Sequence, residues 1–346
     1  MSDKPKLSIY WAGSCGGCEI AVTTLHERLL DLDAAFDLVF CPCLVDTKRA
    51  DVEAMPDASI ALTLFNGAIC TTENEEMAQI LRRKSQVLVA FGACAGEGGI
   101  PGLANLSVPG AVEQTVYLEG PTLDNPAGIV PQRRTVVPEG ILGLPGVLPQ
   151  VKRLADVVDV DYSMPGCPPE PSQIWSVLAA VIDGAPLPPR GSVIGAGCST
   201  VCIECARRRE DKKIGRLRRT WEVIPDPDLC LLDQGIVCMG VATRGGCGAA
   251  CPQVQMPCIG CYGPPDGVDD QGAKMVAALG SMLDIEPLKH LSEDEIAANI
   301  DLVLDAIPDY AGTFYKFSVP GSALRATSAP LAPEAAQRAP APTDGD

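Results

Sequence analysis

The sequence predicts an α/β chain: a doubly wound parallel sheet over residues 1–185, followed by an irregular, cysteine-rich domain over residues 190–290. Three observations carry this. Short apolar runs alternate with amphipathic stretches through the first half, and those runs have Gly or Cys at or near their ends. Nine cysteines then crowd into residues 198–261, where the alternation stops.

The elements follow in order. "KLSIYWAG" (6–13) reads as a strand, and "CEIAVTTLHERLLDL" (18–32) as one helix with apolar residues near a 3.6 period. "FDLVFCPCL" (36–44), "ASIALTLFNG" (58–67) and "QVLVAFGAC" (86–94) are continuous apolar runs, suited to strands covered on both faces. Between the last two, "TTENEEMAQILRRKS" (71–85) opens on Thr and Glu and closes on basic residues, the pattern of a capped helix. A fifth strand is expected over 156–164, with a helix after it whose first turn accommodates prolines. This order predicts a flavodoxin-like sheet.

Residues 95–150 are rich in Gly and Pro and are expected to form long surface loops, functional or covered by a partner. "APLPPRG" (185–191) reads as a linker. The segment after it is expected to bury little apolar surface and to fold around metal. Helical stretches at 271–283 and 292–306 follow, the second within a C-terminal helical extension (291–324); the Ala/Pro-rich tail at 325–346 is expected to be disordered.

Composition narrows the chemistry. The chain has 16 Cys, 2 His and a formal charge of −17, which argues against general nucleic-acid binding. No 18-residue apolar run suggests a membrane span. The opening "MSDKPKLSIYW" shows neither a signal core nor a twin-arginine pair, so a cytoplasmic location is expected. Thiols stay reduced there, and many cysteines then point to metal or redox chemistry. Scarce histidine favours all-thiolate ligation.

Cys15, Cys18, Cys94 and Cys167 each fall at or just beyond the carboxyl end of a predicted strand, where open α/β sheets bind ligands. Four converging thiolates are the ligand set of a [4Fe-4S] cubane, although a CxxC alone is equally a zinc or dithiol motif. A phosphate loop is excluded by the absence of GxGxxG and GxxxxGK[ST]. The second domain supplies "CIEC" (202–205), Cys230, Cys238, "CGAAC" (247–251) and "CIGC" (258–261), eight thiolates for two more cubanes. Two zinc ribbons remain the alternative, though spacings of eight, nine and four between the middle cysteines fit them poorly.

"WAGSCGGCE", "FGACAGEGGIPGLANL", "DNPAGIVPQ", "PGCPPEP" and "DQGIVCMGVATRGGCGAACPQVQMPCIGCYGP" together resemble the small, electron-transferring subunit of a [NiFe] hydrogenase. The likeness, over about residues 6–285, is to the cytoplasmic deazaflavin-non-reducing (methyl-viologen-reducing) type. The resemblance implies three [4Fe-4S] clusters. Cys15, Cys18, Cys94 and Cys167 would hold the proximal one; Cys247, Cys251, Cys258 and Cys261 the medial; Cys202, Cys205, Cys230 and Cys238 the distal. The membrane-bound uptake enzymes usually have histidine where Cys202 stands and proline where Cys251 stands, so a four-iron rather than three-iron medial cluster is implied here. It further implies a nickel–iron centre in an obligate large subunit, and a downstream electron-transfer subunit of flavin, ferredoxin-like or heterodisulfide-reductase type. The alternatives are a complex I-type quinone oxidoreductase subunit, a subunit whose large partner has lost nickel, and a zinc scaffold.

Cys41, Cys43, Cys70 and Cys198 exceed the twelve ligands; Cys41 and Cys43 are expected to pack as small hydrophobes, and Cys70, also core filler, could approach the proximal site. Cys198 could replace Cys202, but the CxxC spacing favours Cys202. Glu19 either begins its helix as a favoured acid or relays protons, and His26 is expected to pack mid-helix. "RRREDKKIGRLRR" (207–219), with eight basic residues, is a solvated face or a dock for an acidic redox partner.

Overall fold

The computed structural model describes residues 4–210, 213–284 and 286–325. The tail beyond them, expected to be disordered, lies outside the described residues, as do Asp211 and Lys212 of the basic run.

The first half contains β1 (Lys6–Trp11), α1 (Gly17–Thr23), α2 (Arg28–Ala35), β2 (Asp37–Phe40), α3 (Arg49–Ala54), β3 (Ile60–Asn66), β4 (Ile69–Thr71), α4 (Thr72–Lys84), β5 (Ser85–Phe91) and α5 (Ala93–Glu97). Then come α6 (Ala111–Gln114), β6 (Arg134–Val137), β7 (Gly140–Gly143), β8 (Val147–Lys152), β9 (Tyr162–Met164) and α7 (Pro171–Ile182). The main sheet has the order β2-β1-β3-β5-β9, with all neighbours parallel. That is the flavodoxin-like order the alternation predicts.

Strand periodicity puts alternate residues into two cores. Leu7, Ile9, Leu62, Leu64, Val89 and Phe91 face Ala21, Val22, Leu32, Ile174 and Leu178 of α1, α2 and α7. Tyr10, Phe65, Leu88 and Ala90 face Val52 of α3 and Met77, Ala78 and Leu81 of α4. The Thr71 hydroxyl accepts from the Asn74 N–H at 3.3 Å, and the Asn74 side-chain carbonyl accepts from the Thr71 N–H at 3.2 Å, capping α4 as expected.

Three local expectations are corrected. The helix expected over 18–32 is two helices. The hydroxyls of Thr23 and Thr24 donate to the carbonyls of Ile20 and Ala21 at 2.8 Å each, the chain tightens into i→i−3 bonds, and His26 turns left-handed at φ 54°. His26 is therefore an exposed turn residue, not a packed mid-helix one. The fifth strand starts only at Tyr162, because Arg153 and Asp156 form a capping box around a 3₁₀ turn that consumes the first residues of the apolar run. Within 95–150, the expected loops contain a 3₁₀ turn at Ile100–Leu106, an exposed β6–β7 hairpin and a β4–β8 pair.

After residue 190 regular structure thins to 3₁₀ turns and isolated bridges around α8 (Ala250–Gln253), until α9 (Gln271–Met282), α10 (Glu293–Leu304) and α11 (Tyr310–Phe314). This region does bury apolar surface, contrary to expectation: Val201, Leu217, Leu232, Ile236, Met275 and Phe314 form its own core. The segment read as a linker is pinned to the sheet, with the Gly191 N–H bonded to Asp161 O at 2.8 Å and Arg190 paired with the Asp161 carboxylate at 3.0 Å. The C-terminal extension returns to the first half, where the Gly99 N–H donates to Phe317 O at 3.0 Å.

Candidate metal centres

Cys15 in the turn after β1, Cys18 in the first turn of α1, Cys94 in α5 directly after β5 and Cys167 in the turn after β9 all lie at one end of the sheet. Burial pushes the Cys18 thiol well above its usual range, and Glu19, Cys94, Cys167 and Cys15 raise it further, so these four thiols share one electrostatic environment. Burial also lifts Cys94 to about 12, reinforced by Cys167, Cys15 and Cys70 and opposed by the Ile100 N–H.

The backbone closes around these sulfurs. At Gly92 (φ 84°) a Cβ would stand 2.5 Å from Cys18 Sγ, and at Gly99 (φ 58°) one would stand 2.5 Å from Cys94 Sγ. Only glycine meets both the left-handed backbone and the close approach. Buried thiols without a cation stay protonated; a bound metal would take them as thiolates and release the protons.

The second-domain thiols fall into two neighbouring groups. Burial raises Cys202, helped by Cys230 and Cys205. Burial raises Cys238 to about 11, with Gly240 and Cys258 N–H groups opposing and Cys202 and Cys230 adding. Burial raises Cys261 to about 12, with Cys167, Cys247 and Cys251 adding negative potential and the neighbouring Cys167 backbone opposing. Cys251 is raised by burial, Cys247 and Glu170. Cys258 stands between the groups: its N–H donates to Cys238 Sγ at 3.2 Å, and its own thiol feels Cys238 and Cys261.

The donor set is thus almost purely sulfur, with backbone N–H groups aimed at it, and fits iron–sulfur clusters. Among the described residues no three Cys, His, Asp or Glu side chains close on one point for a single metal ion.

The surplus residues are placed as follows. Cys198 is exposed and does not act on the Cys202 group. Cys70 is half-buried and close enough to raise Cys94. Cys41 is buried as expected, but Cys43 is exposed, because its strand has ended and the turn points it outward. Glu19 is buried, and Asn66 Nδ2 donates to both its carboxylate oxygens at 2.8 Å. In the basic run Arg207 binds the carbonyls of Pro252, Asp226 and Leu229, which makes it a structural clamp. Sequence reasoning missed Tyr262 and Gln173, which join the two halves beside Cys261 and Cys167; the only hint was that Tyr262 directly follows "CIGC".

Comparison with known proteins agrees with this geometry. Residues 15–181 match the family "NADH ubiquinone oxidoreductase, 20 Kd subunit". The iron–sulfur subunit of the F420-non-reducing hydrogenase from Archaeoglobus profundus is 39% identical over 92% of this chain and 97% of that protein. An F420-non-reducing hydrogenase subunit of Methanothermobacter marburgensis is 36% identical over 94% of this chain and 97% of that protein. The chain belongs to the small-subunit family of F420-non-reducing [NiFe] hydrogenases. A solved NAD+-reducing [NiFe]-hydrogenase in its H2-reduced state aligns at TM-score 0.46 and 30% identity, over 54% of this chain and 96% of that one. This hydrogenase small subunit has, among the described residues, no helix long and apolar enough to cross a membrane.

Proposed function

We propose that the chain is the electron-conducting small subunit of a [NiFe] hydrogenase, working between a nickel–iron large subunit and a downstream electron-transfer subunit. Cys15, Cys18, Cys94 and Cys167 hold the proximal [4Fe-4S] cluster, Cys247, Cys251, Cys258 and Cys261 the medial, and Cys202, Cys205, Cys230 and Cys238 the distal. Such clusters, when bound, carry electrons singly. The chain's own residues set spacing and potential, through burial and N–H groups directed at sulfur.

The supporting observation is the continuity of the thiol groups. Cys167 lies close enough to Cys261 to act on its thiol, and the Cys258 N–H reaches the sulfur of Cys238 at 3.2 Å, so the first group adjoins the second and the second the third. A large-subunit interface is supported by apolar side chains left exposed between residues 108 and 147, with Val108 75%, Ile129 71% and Val136 82% accessible. Two units, residues 1–185 and 190–290, suit this division of labour, and sixteen free cysteines suit a reducing cytoplasm.

Anaerobic co-purification with the large subunit tests the reading. About twelve iron and twelve sulfide per chain and hydrogen-dependent reduction of the clusters are expected; about three zinc would overturn the cluster assignment. A full iron complement with no hydrogen-dependent reduction would instead favour an electron-transfer subunit whose large partner has lost nickel, and iron for a single cluster would favour the complex I-type role.

A further inference from the structure

The turn after β2 carries a second kind of sulfur chemistry. Cys41 and Cys43 flank Pro42, and their Sγ atoms stand 3.5 Å apart. Cys41 is 1% exposed, whereas Cys43 is exposed. The turn is closed by Leu44 and Val45 N–H groups, both donating to Cys41 O at 2.9 Å. Neither thiol belongs to the three groups described above. β2 is the edge strand beside β1, and Cys41 belongs to the same apolar core as Cys18, at the end of the sheet where the loop after β1 lies.

We propose that Cys41 and Cys43 form a reversible dithiol–disulfide site, exchanging with low-molecular-mass disulfides. The reaction balances as two exchanges. The exposed Cys43 thiolate attacks one sulfur of R–S–S–R, breaks that bond and expels RS⁻, leaving a mixed disulfide on Cys43. Cys41 loses its proton, and its thiolate attacks the Cys43 sulfur and expels the second RS⁻. The two expelled thiolates take up the two protons released by the protein. Overall the protein dithiol is oxidised by two electrons and the small disulfide is reduced to two thiols.

The geometry assigns the roles. Only Cys43 can be reached by a solvent-borne disulfide, which makes it the attacking thiol. Cys41 cannot be reached from solvent, but its sulfur stands 3.5 Å from that of Cys43, which makes it the resolving thiol. Closure must bring the two sulfurs from 3.5 Å to a bond of about 2 Å. Exposed disulfides of this kind are the readily reduced ones, so the couple can cycle under mild changes of thiol poise. The pair therefore senses a two-electron thiol couple, whether or not the neighbouring thiol groups carry clusters.

The test uses the intact, cluster-loaded complex, incubated anaerobically with glutathione and glutathione disulfide at a series of ratios, then acid-quenched, alkylated and digested. The expected result is loss of two alkylation sites and two hydrogens from the peptide containing residues 41–43 as the disulfide fraction rises, reversed on adding glutathione, with iron content unchanged. In Cys41→Ser the reaction should stop at the Cys43 mixed disulfide, and in Cys43→Ser nothing should form. A peptide alkylated at both cysteines at every ratio would overturn the proposal. So would a wild-type peptide that stops at the mixed disulfide, or oxidation only where iron is lost.

Discussion

Tyr262 Oη donates to Gln173 Oε1 at 2.6 Å and accepts from the Glu170 N–H at 3.2 Å, joining the cysteine-rich region to the start of α7. Tyr262 follows Cys261 and Gln173 lies shortly beyond Cys167, so this contact helps set the separation of two thiol groups. The tyrosine is 3% exposed, and burial raises its hydroxyl far above the usual range, so it remains a donor. Tyr262→Phe should cost about 0.5–1.5 kcal/mol, because Gln173 Oε1 loses this donor but keeps the Glu170 N–H at 3.3 Å. Chemical unfolding of the anaerobic full chain measures this, and an unchanged midpoint would sink the claim.

Gly92→Ala should empty one thiol group while sparing the others. Its Cβ would meet Cys18 Sγ at 2.5 Å on a backbone with φ 84° that alanine avoids. Iron per chain should fall by about a third if each cubane holds four iron. Loss of all iron, or of none, would show that the three groups do not load separately.

Asp161 is the main buried anion of the first half. Its carboxylate accepts from Arg82 at 2.7 Å, from Arg190 at 3.0 Å and from the Leu88 N–H at 2.8 Å. Asp161→Ala removes the counter-charge of a partly buried arginine and the partner of a strand N–H, with an expected loss of about 3–5 kcal/mol. Arg190→Ala touches only the exposed arm, 75% accessible, and should cost under about 1 kcal/mol. The difference between the two midpoints is the measurement.

Glu97 predicts a pH dependence. Burial lifts its carboxyl from 4.5 to about 7, against the lowering influence of Arg153 and Arg244, while Asp156 adds to the rise. Between those values the folded chain holds a proton that the unfolded chain has released, so stability falls as pH rises from 4.5 through about 7. Glu97→Gln should flatten that slope. Thermal midpoints across the window test it, and a slope equal to wild type would assign the dependence elsewhere.

The remaining basic surface includes Arg216, 3.5 Å from Glu222, and Arg219, stacked 5.4 Å over the ring of exposed Trp221. Reversing Arg216, Arg218 and Arg219 should slow electron delivery to an acidic acceptor several-fold at low salt and flatten its salt dependence. Stopped-flow reduction of the acceptor reads this out, and unchanged rates would return the run to a merely solvated face.

Strand order, the α4 cap and the strand-end positions of Cys15, Cys18, Cys94 and Cys167 were legible because each rests on local pattern: apolar runs, and Thr71 before an acidic first turn. The break at His26 was not legible, since a helical period runs through it and only paired threonine hydroxyls competing for carbonyls reveal it. Nor was the second core, whose apolar residues are dispersed among glycines and cysteines without a period.

By itself, then, the sequence determined a parallel sheet that presents Cys15, Cys18, Cys94 and Cys167 at one end, and a sulfur-rich segment after it, because periodicity and strand-end position are properties of the chain. Tertiary structure alone decided that Cys258 stands between two thiol groups, that Cys167 lies close enough to Cys261 to act on its thiol, and that Cys41 and Cys43 share a turn with one sulfur buried and one exposed. Those relations depend on which backbone groups are left free to meet a sulfur once the cores have closed, and no spacing in the sequence encodes that.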